Sequence, residues 1–163
     1  MSTTTPAAVR NAIAAVVKGL TPTAHTETPF REHEEREAFR DWCVANASAC
    51  LRRYSVRWIG DTAPPTVSNT DVEFVERAID VEVAYPTTWR LGGRQLAGLD
   101  DAISEDLRLI AHAVGTNGHA RVAAELGAAS VTITTEAERV VDLGPIHLGQ
   151  VALIARYYRS NAT

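Results

Sequence analysis

Histidine, cysteine and acidic side chains are the groups in this sequence that could bind a metal ion or exchange protons. The chain holds five histidines and two cysteines, but it lacks the HExxH, HxH and CxxC spacings with which short motifs bind zinc. His112 and His119 are seven residues apart, and Gly115 and Gly118 lie between them, so one helix cannot present both rings on the same face. The sequence therefore predicts neither a metal site nor a cofactor.

Serine and glycine patterns predict no nucleophile and no phosphate-binding loop. No serine lies in the GxSxG context of a hydrolase nucleophile. Gly92 and Gly93 follow a predicted strand, but no GK[ST] sequence and no correctly spaced third glycine comes after them. Acidic residues between positions 100 and 106 lie at the start of a predicted helix, where the helix dipole favours negative charge without any chemistry. We therefore expect no catalytic residue and no enzymatic activity.

Cys43 and Cys50 are expected to be buried, reduced thiols. They lie seven residues apart in a segment predicted to be helical, which separates them by about 10 Å along the axis. A disulfide requires Cα atoms within about 7 Å of each other. The two residues are therefore predicted to act as small apolar side chains in a reducing compartment.

The composition limits the chain to ordinary globular classes. Its 163 residues suit one domain, and 45% hydrophobic residues are enough for a core. The formal net charge of −4 argues against bulk electrostatic attraction to nucleic acid or an anionic membrane. No apolar run reaches the roughly 18 residues of a membrane span, and Met1–Pro6 lacks the features of a secretory signal. We expect a soluble, intracellular single domain over residues 1–163, without membrane contact.

The hydrophobic pattern alternates between helical and strand periods along the chain. Apolar residues three and four apart predict helices, and strict alternation predicts strands with one covered face. The predicted helices are Ala7–Leu20, Arg31–Ala49 and Leu99–Val114, with a short helical turn at His119–Gly127. The predicted strands are Tyr54–Trp58, Val72–Tyr85 with a bulge at Glu76–Ala78, the pieces Val131–Thr135 and Val140–Leu143 of one broken strand, and Ile146–Tyr158 with a phase slip at Gly149.

This order, α-α-β-β-α-β-β, predicts an α+β domain with a mostly antiparallel four-stranded sheet. Strands of each pair follow one another without an intervening helix, as antiparallel neighbours usually do. Each element has one apolar face, so we expect the helices to pack on one face of the sheet. The other face is expected to be solvated or to contact another chain. It carries charged residues at alternate strand positions, namely Arg53, Arg57, Asp80, Glu82 and Arg156.

Protein contacts are the function that these residues favour. The loops 60–70 and 86–98 are longer than connections in compact domains usually are, which is typical of loops with a binding role. Tryptophan and arginine are enriched at the energetic centres of interfaces. Trp89 is predicted either to contribute to such a contact or to fold back over the edge of the core. The predicted interface residues are Trp89, Arg90, Arg94, Arg53 and Arg57.

Runs of arginine and aromatic residues make nucleic-acid binding an alternative. Residues 51–58 and 156–159 combine both residue types, and sheets that present them together can stack bases. Strand alternation puts Tyr54 and Trp58 on the face opposite Arg53 and Arg57. A stacking platform needs both types on one face, so the pattern argues against this alternative.

The elements also resemble those of a known family. The features that carry the likeness are the helix Ala7–Leu20, the strand that ends in IDVEVAYP at residues 79–86, the helix that begins at Asp100, and the closing strand VALIARYYR at residues 151–159. Their order, over nearly the whole chain, is similar to that of the tail terminator proteins of long-tailed bacteriophages, the group of the lambda minor tail protein U. The predicted helix Arg31–Ala49 and the loop with Pro64 and Pro65 have no counterpart in that pattern.

The resemblance implies a structural virion protein. Six copies would form a ring that caps the tail tube and joins it to the head connector. The implied partners are copies of the chain itself, the tail tube protein and the head–tail connector or head-completion protein, while DNA only passes through the ring. The implied location is the neck of the virion, reached after assembly in the host cytoplasm. The alternatives are another neck or tail-completion protein of the same virion, a small α+β module that binds a ligand or nucleic acid, and an uncharacterised enzyme.

Overall fold

The structure of the chain is a computed structural model that describes residues 3–23, 26, 28–69, 71–88, 90–91, 94–95, 99–115, 119–127 and 131–160. These residues form a mixed α+β fold. Its helices are α1 (Pro6–Lys18), α2 (Phe39–Ala45), α3 (Leu99–Val114) and α4 (His119–Leu126). Its strands are β1 (Arg31–Glu32), β2 (Arg53–Asp61), β3 (Thr66–Asn69), β4 (Val72–Pro86), β5 (Arg90–Leu91), β6 (Arg94–Gln95), β7 (Thr132–Asp142) and β8 (Ile146–Ser160).

Six of these strands form one sheet in the order β1–β2–β4–β8–β7, with β3 also paired to β4. Its strand pairs are antiparallel except for β1 with β2, which is parallel. β5 and β6 form a separate small hairpin. The predicted α+β class is therefore confirmed. The four-stranded sheet and the order α-α-β-β-α-β-β are wrong, because two short strands, β1 and β3, extend the sheet.

Helices α1 and α3 lie where the apolar periodicity predicts them. The Thr5 hydroxyl accepts a hydrogen bond from the Ala8 backbone N–H at 3.1 Å, and Pro6 occupies the first turn of α1, where its missing N–H is harmless. α3 has the predicted bounds. The helical turn predicted at His119–Gly127 is the two-turn helix α4.

Helices α1 and α3 pack on one face of the sheet, called the helix face below, and α4 packs on α1 and α3. The apolar side chains of these helices and the inward side chains of β2, β4 and β8 form the main core. α3 comes close to the sheet at Gly149, where a Cβ atom would lie 2.8 Å from Leu107 Cδ2. β8 keeps unbroken register with β4 through this residue. The predicted phase slip at Gly149 is therefore wrong, and the glycine instead makes room for a helix.

The opposite face of the sheet, called the second face below, is covered at one end only. Helix α2 lies there, and Phe39 and Cys43 pack with Cys50 on a small apolar cluster. Ala84 of β4 and Leu148 of β8 belong to that cluster, and both alternate with residues of the main core. Helices therefore lie on both faces rather than on one. The run of apolar residues at the start of β8 reflects two buried faces.

Most of the predicted helix Arg31–Ala49 is not helical. Arg31 and Glu32 form β1 beside β2, α2 covers only seven residues, and Ala47–Ala49 is a single 3₁₀ turn. The intervening residues 34–37 are polar, so no apolar stripe is available to anchor a longer helix. Ala38 also provides no side-chain cap for α2.

The irregular positions of the strands differ from those predicted. No bulge occurs at Glu76–Ala78, since β4 pairs with β8 without interruption. The bulge lies instead on β2, between Trp58 and Gly60. β7 is a single strand, and the predicted break is a bulge between Thr135 and Ala137. The predicted loop 60–70 is shorter than expected, because β2 and β3 extend into it.

Candidate protein-interaction surface

The five predicted interface residues fall into two groups. Arg53 and Arg57 lie four residues apart on β2 and point to the second face, as predicted. Arg90 and Arg94 lie in the β5–β6 hairpin, and their side chains are outside the described part of the structure. Trp89 is also outside the described residues. The structure therefore brings Arg53 and Arg57 to one face and leaves the choice between the two interpretations of Trp89 open.

Arg53 is covered by α2 and is not a free surface charge. Its guanidinium carbon lies 4.0 Å from the centre of the Trp42 ring, a distance typical of a cation–π contact. The Nε atom of Arg53 is buried and has no hydrogen-bond partner in the described part of the chain. Arg53 therefore connects α2 to the sheet. Only part of its side chain is exposed and could contact a partner.

Arg57 belongs to a charged cluster centred on Glu82. The Glu82 side chain is 2% exposed and accepts hydrogen bonds from Arg40 Nε at 3.0 Å and from Gln150 Nε2 at 2.9 Å. Arg57 Nε lies 3.7 Å from the same carboxylate, and half of the Arg57 side chain remains exposed. The hydrogen bond to Glu82 raises the pKa of Arg40. Burial, and then the charge of Glu82, raise the pKa of the neighbouring Asp80.

Strand alternation places Glu82 and Asp80 on this face, but the sequence pattern does not reveal Arg40 and Gln150 as partners. Arg40 falls in the predicted long helix Arg31–Ala49, whose expected position is the other face of the sheet, and Gln150 falls in a strand predicted to change phase at Gly149. The sequence signal that points to this cluster is Glu82 itself, a glutamate between the apolar residues Val81 and Val83 of a central strand. A carboxylate that is buried there requires partners on neighbouring elements.

A second buried ion pair lies on the helix face. Arg52 and Asp106 are 0% and 1% exposed, and two Arg52 nitrogens donate to the carboxylate at 2.8 and 3.2 Å. The Tyr85 hydroxyl donates to the same carboxylate at 2.8 Å. Burial raises the pKa of both Asp106 and Tyr85. These groups join α3 to β4 and to the residue that precedes β2. They are buried and closed to a substrate, so their arrangement is structural. Within the acidic run at 100–106, Asp106 therefore has a structural role, because it forms this buried ion pair.

Beyond α2, the second face is a sheet surface on which small, aromatic and charged side chains follow one another along β4 and β8. Ala78, Ala152 and Ile154 are partly exposed neighbours on the middle strands β4 and β8. Phe74 and Tyr158 pair directly across the same two strands, with ring centres 5.3 Å apart. No described helix covers these residues, since α1, α3 and α4 lie on the helix face and α2 packs at the other end.

An ion pair lies within this open surface, between the Phe74–Tyr158 pair and the Ala78–Ile154 pair. Arg156 Nε donates to Glu76 Oε2 at 2.7 Å, and another nitrogen of Arg156 donates to Thr134 at 2.9 Å. The Thr62 hydroxyl, and then Arg156, lower the pKa of Glu76. Apolar and charged pairs therefore alternate along this face, in the order Phe74–Tyr158, Glu76–Arg156 and Ala78–Ile154.

Two sheet edges are accessible as well. β7 pairs only with β8 among the described strands, and beside it a cleft of about 410 Å³ opens towards α3. The cleft is lined by acidic residues, one arginine and the exposed Val140. At the opposite side of the sheet, β1 pairs only with Arg53 and Tyr54, which leaves the rest of β2 as an edge. Ile59 on that edge is 51% exposed.

Cys43 and Cys50 are buried free thiols, and their predicted burial is confirmed. The predicted separation along one helix is wrong, because α2 ends at Ala45 and the 3₁₀ turn brings Cys50 back beside Cys43. The Cys50 thiol donates to the Ala47 carbonyl oxygen at 3.1 Å, and the proximity of Cys50, together with burial, raises the pKa of the Cys43 thiol.

Among the described residues, no group of three or more His, Cys, Asp and Glu side chains has a geometry that could hold a metal ion. No helix of the described chain has the length and apolar character needed to cross a membrane. Comparisons with protein-family models and with curated proteins find no match to this sequence.

Proposed function

We propose that this chain is a structural assembly protein without catalytic activity, and that it acts as a tail terminator of a long-tailed bacteriophage. In this role six copies form a ring at the end of the tail tube, stop the growth of the tube and offer a surface to the head connector. The ring is located at the neck of the virion, and DNA passes through it without being held.

The observation that supports the proposal best is the uncovered part of the second face. A six-stranded sheet has two large faces, and here α2 covers only one end of the second one. The rest presents the partly exposed Phe74–Tyr158 and Ala78–Ile154 pairs with the Glu76–Arg156 ion pair between them. Partly exposed aromatic and aliphatic side chains on a sheet face that no described helix covers offer a surface that another protein can cover.

The charge of the chain is compatible with a DNA channel. A ring that lets DNA pass has to avoid strong binding to phosphates, and phosphate contacts come mainly from lysine and arginine. The chain has 16 basic and 20 acidic residues. Several of its arginines, such as Arg40, Arg52 and Arg156, are already paired with carboxylates inside the fold.

The proposal is tested by the mass of the protein in solution. Sedimentation velocity over a range of concentrations should show a species of about 106 kDa, six times the chain mass of 17.6 kDa, or a monomer that converts to it as concentration rises. A monomer at every concentration up to the millimolar range would contradict the ring.

A second experiment separates a terminator from another neck protein. The tail tube protein encoded with this chain is polymerised in its presence and in its absence. A terminator shortens the tubes and binds at one end, because it caps the growing surface. A neighbouring neck protein leaves the length of the tubes unchanged.

One observation favours a second candidate function, a module that binds single-stranded nucleic acid. Phe74, Tyr158 and Arg156 lie on the same open sheet face, whereas the alternation of β2 predicts aromatic and basic residues on opposite faces. Aromatic rings on middle strands can stack bases. Binding of a fluorescent oligonucleotide that weakens with salt, and that Tyr158→Ala abolishes, would favour this function over the ring.

A further inference from the structure

β7 is an edge strand with regular geometry beyond its bulge. Among the described strands it pairs only with β8, and residues 137–142 keep regular register with that strand. The backbone groups on the outer side of such an edge can pair with an extended segment of another chain. The bulge between Thr135 and Ala137 ends this regular stretch, so residues 137–142 are the part of β7 that can accept a new strand.

Three side chains of this stretch lie on the helix face. Glu138, Val140 and Asp142 alternate along β7, and the β8 partner of Glu138 is Val151 of the main core. α3 leaves them uncovered, since both acidic residues are exposed and Val140 is 52% exposed. The edge therefore presents one apolar residue with a carboxylate two positions before it and another two positions after it.

The helix-face side of this edge is acidic. The cleft of about 410 Å³ between β7 and α3 contains the carboxylates of Asp100, Glu138 and Asp142. Asp142 accepts a hydrogen bond from the Gly144 backbone N–H at 2.9 Å, whereas the carboxylates of Asp100 and Glu138 have no hydrogen bond or ion pair within the described part of the chain. Arg139 also lines the cleft, but strand alternation starts its side chain on the second face. This excess of carboxylates favours basic over acidic side chains in a partner.

Strand geometry fixes the spacing of the side chains that this edge would accept. Side chains of an added strand alternate with period two, and those on the helix face lie beside the helix-face residues of β7. An apolar residue beside Val140 therefore places the residues two positions before and after it beside Glu138 and Asp142, where lysine or arginine completes the charge. This basic–x–apolar–x–basic pattern is symmetric, so it is the same for a parallel and an antiparallel strand.

A second copy of this chain does not supply such a strand. The three pairs of Lys or Arg residues four positions apart in the sequence enclose Ala38, Ser55 and Gly92, none of which is a large apolar residue. A second β7 is also excluded, because its carboxylates would lie beside Glu138 and Asp142 and repel them. The added strand therefore belongs to a different protein.

We propose that residues 137–142 of β7 accept an extended segment of a different protein as an additional strand, and that this segment has a basic–x–apolar–x–basic sequence centred on Val140. The inference rests on the proposed function for the source of the segment, which is then a neighbouring protein of the virion.

Synthetic peptides test the docking edge independently of any ring. The probe is a fluorescently labelled peptide of sequence TKTITKT, whose binding to the unchanged protein is measured by fluorescence anisotropy at low salt. The peptide TKITTKT has the same composition but places its isoleucine on the face opposite the lysines, so it should bind at least about threefold more weakly. The peptide TETITET should bind at least about tenfold more weakly, because both of its charges lie beside carboxylates.

Variants of β7 test which residues the peptide contacts. Glu138→Lys should weaken binding of TKTITKT about fivefold, and the double variant Glu138→Lys, Asp142→Lys should bind TETITET more tightly than TKTITKT. The double variant Glu34→Lys, Glu125→Lys changes the net charge equally at exposed positions elsewhere, so it should keep the preference of the unchanged protein. Thermal unfolding verifies that every variant is folded. Hydrogen exchange at residues 137–142 should slow when TKTITKT is bound.

The outcomes separate this inference from the proposed function. Absence of TKTITKT binding up to the millimolar range overturns the docking edge, and so does equal binding of TKTITKT and TKITTKT. Slower exchange on the second face in place of residues 137–142 also overturns it. None of these results affects the ring, which sedimentation tests. A protein that binds the peptides in the expected order but stays monomeric at every concentration supports the docking edge and contradicts the ring alone.

Discussion

The two faces of the central sheet differ in how they are stabilised. The helix face is covered by three helices and forms a continuous core in which Arg52, Asp106 and Tyr85 are the polar exception. The second face has a small apolar cluster under α2, a charged cluster around Glu82, and then a sheet surface that no described helix covers. The first arrangement is explained by folding alone. The second leaves Phe74, Ile154 and Tyr158 partly exposed, and the proposed contact with another chain would bury them.

The largest expected effect concerns the buried ion pair of the helix face. Asp106→Ala should lower the free energy of unfolding by about 3–5 kcal/mol, because it leaves the Arg52 guanidinium buried without its carboxylate. Urea denaturation measures the change. The double variant Arg52→Met, Asp106→Leu should recover much of the loss, since it removes both charges together. A loss of less than about 1 kcal/mol for Asp106→Ala would contradict the assigned burial of the pair.

Neighbouring residues of β8 provide a direct comparison of the two faces. Leu153 points to the main core and is 1% exposed, whereas Ile154 is partly exposed on the open second face. Leu153→Ala should cost about 2–5 kcal/mol of stability, and Ile154→Ala about 1 kcal/mol or less. Chemical denaturation gives both values. Under the proposed function Ile154→Ala also weakens assembly, and equal costs for the two variants would show that the second face is covered.

The smallest expected effect is the pH dependence of the Glu76–Arg156 ion pair on the second face. Thr62 and Arg156 lower the folded-state pKa of Glu76, so the pair stabilises the fold above the unfolded-state value of about 4.3. This stabilisation is lost as the pH falls through the folded-state pKa. The melting temperature of Glu76→Gln should therefore lie below that of the unchanged protein at pH 7, and the difference should shrink below about pH 4. A difference independent of pH would contradict the assignment.

The parts of the fold that the sequence predicts are those with a sustained hydrophobic period. α1, α3 and the inward residues of β4 follow directly from apolar spacing, because one face of each is buried in the main core. The pattern also predicts β7 as a broken strand, and its break is a bulge at Glu136.

The parts that the sequence does not predict depend on contacts between distant segments. β1 is a strand only because β2 lies beside it, and the two-sided burial of β8 is visible only once α2 is known to cover the second face. The same reason hides the partners of Glu82, since Arg40 and Gln150 are 42 and 68 residues away along the chain. For the interface, residue types indicate Arg53 and Arg57, but their different exposure follows from α2 and its Trp42 and not from any local pattern.

Electron microscopy of the purified chain tests the central claim most directly. Class averages of negatively stained particles, prepared at a concentration above the association midpoint, should show rings with six-fold symmetry and an open centre. Uniform particles of single-chain size, in a sample whose melting profile confirms a folded protein, would contradict the account.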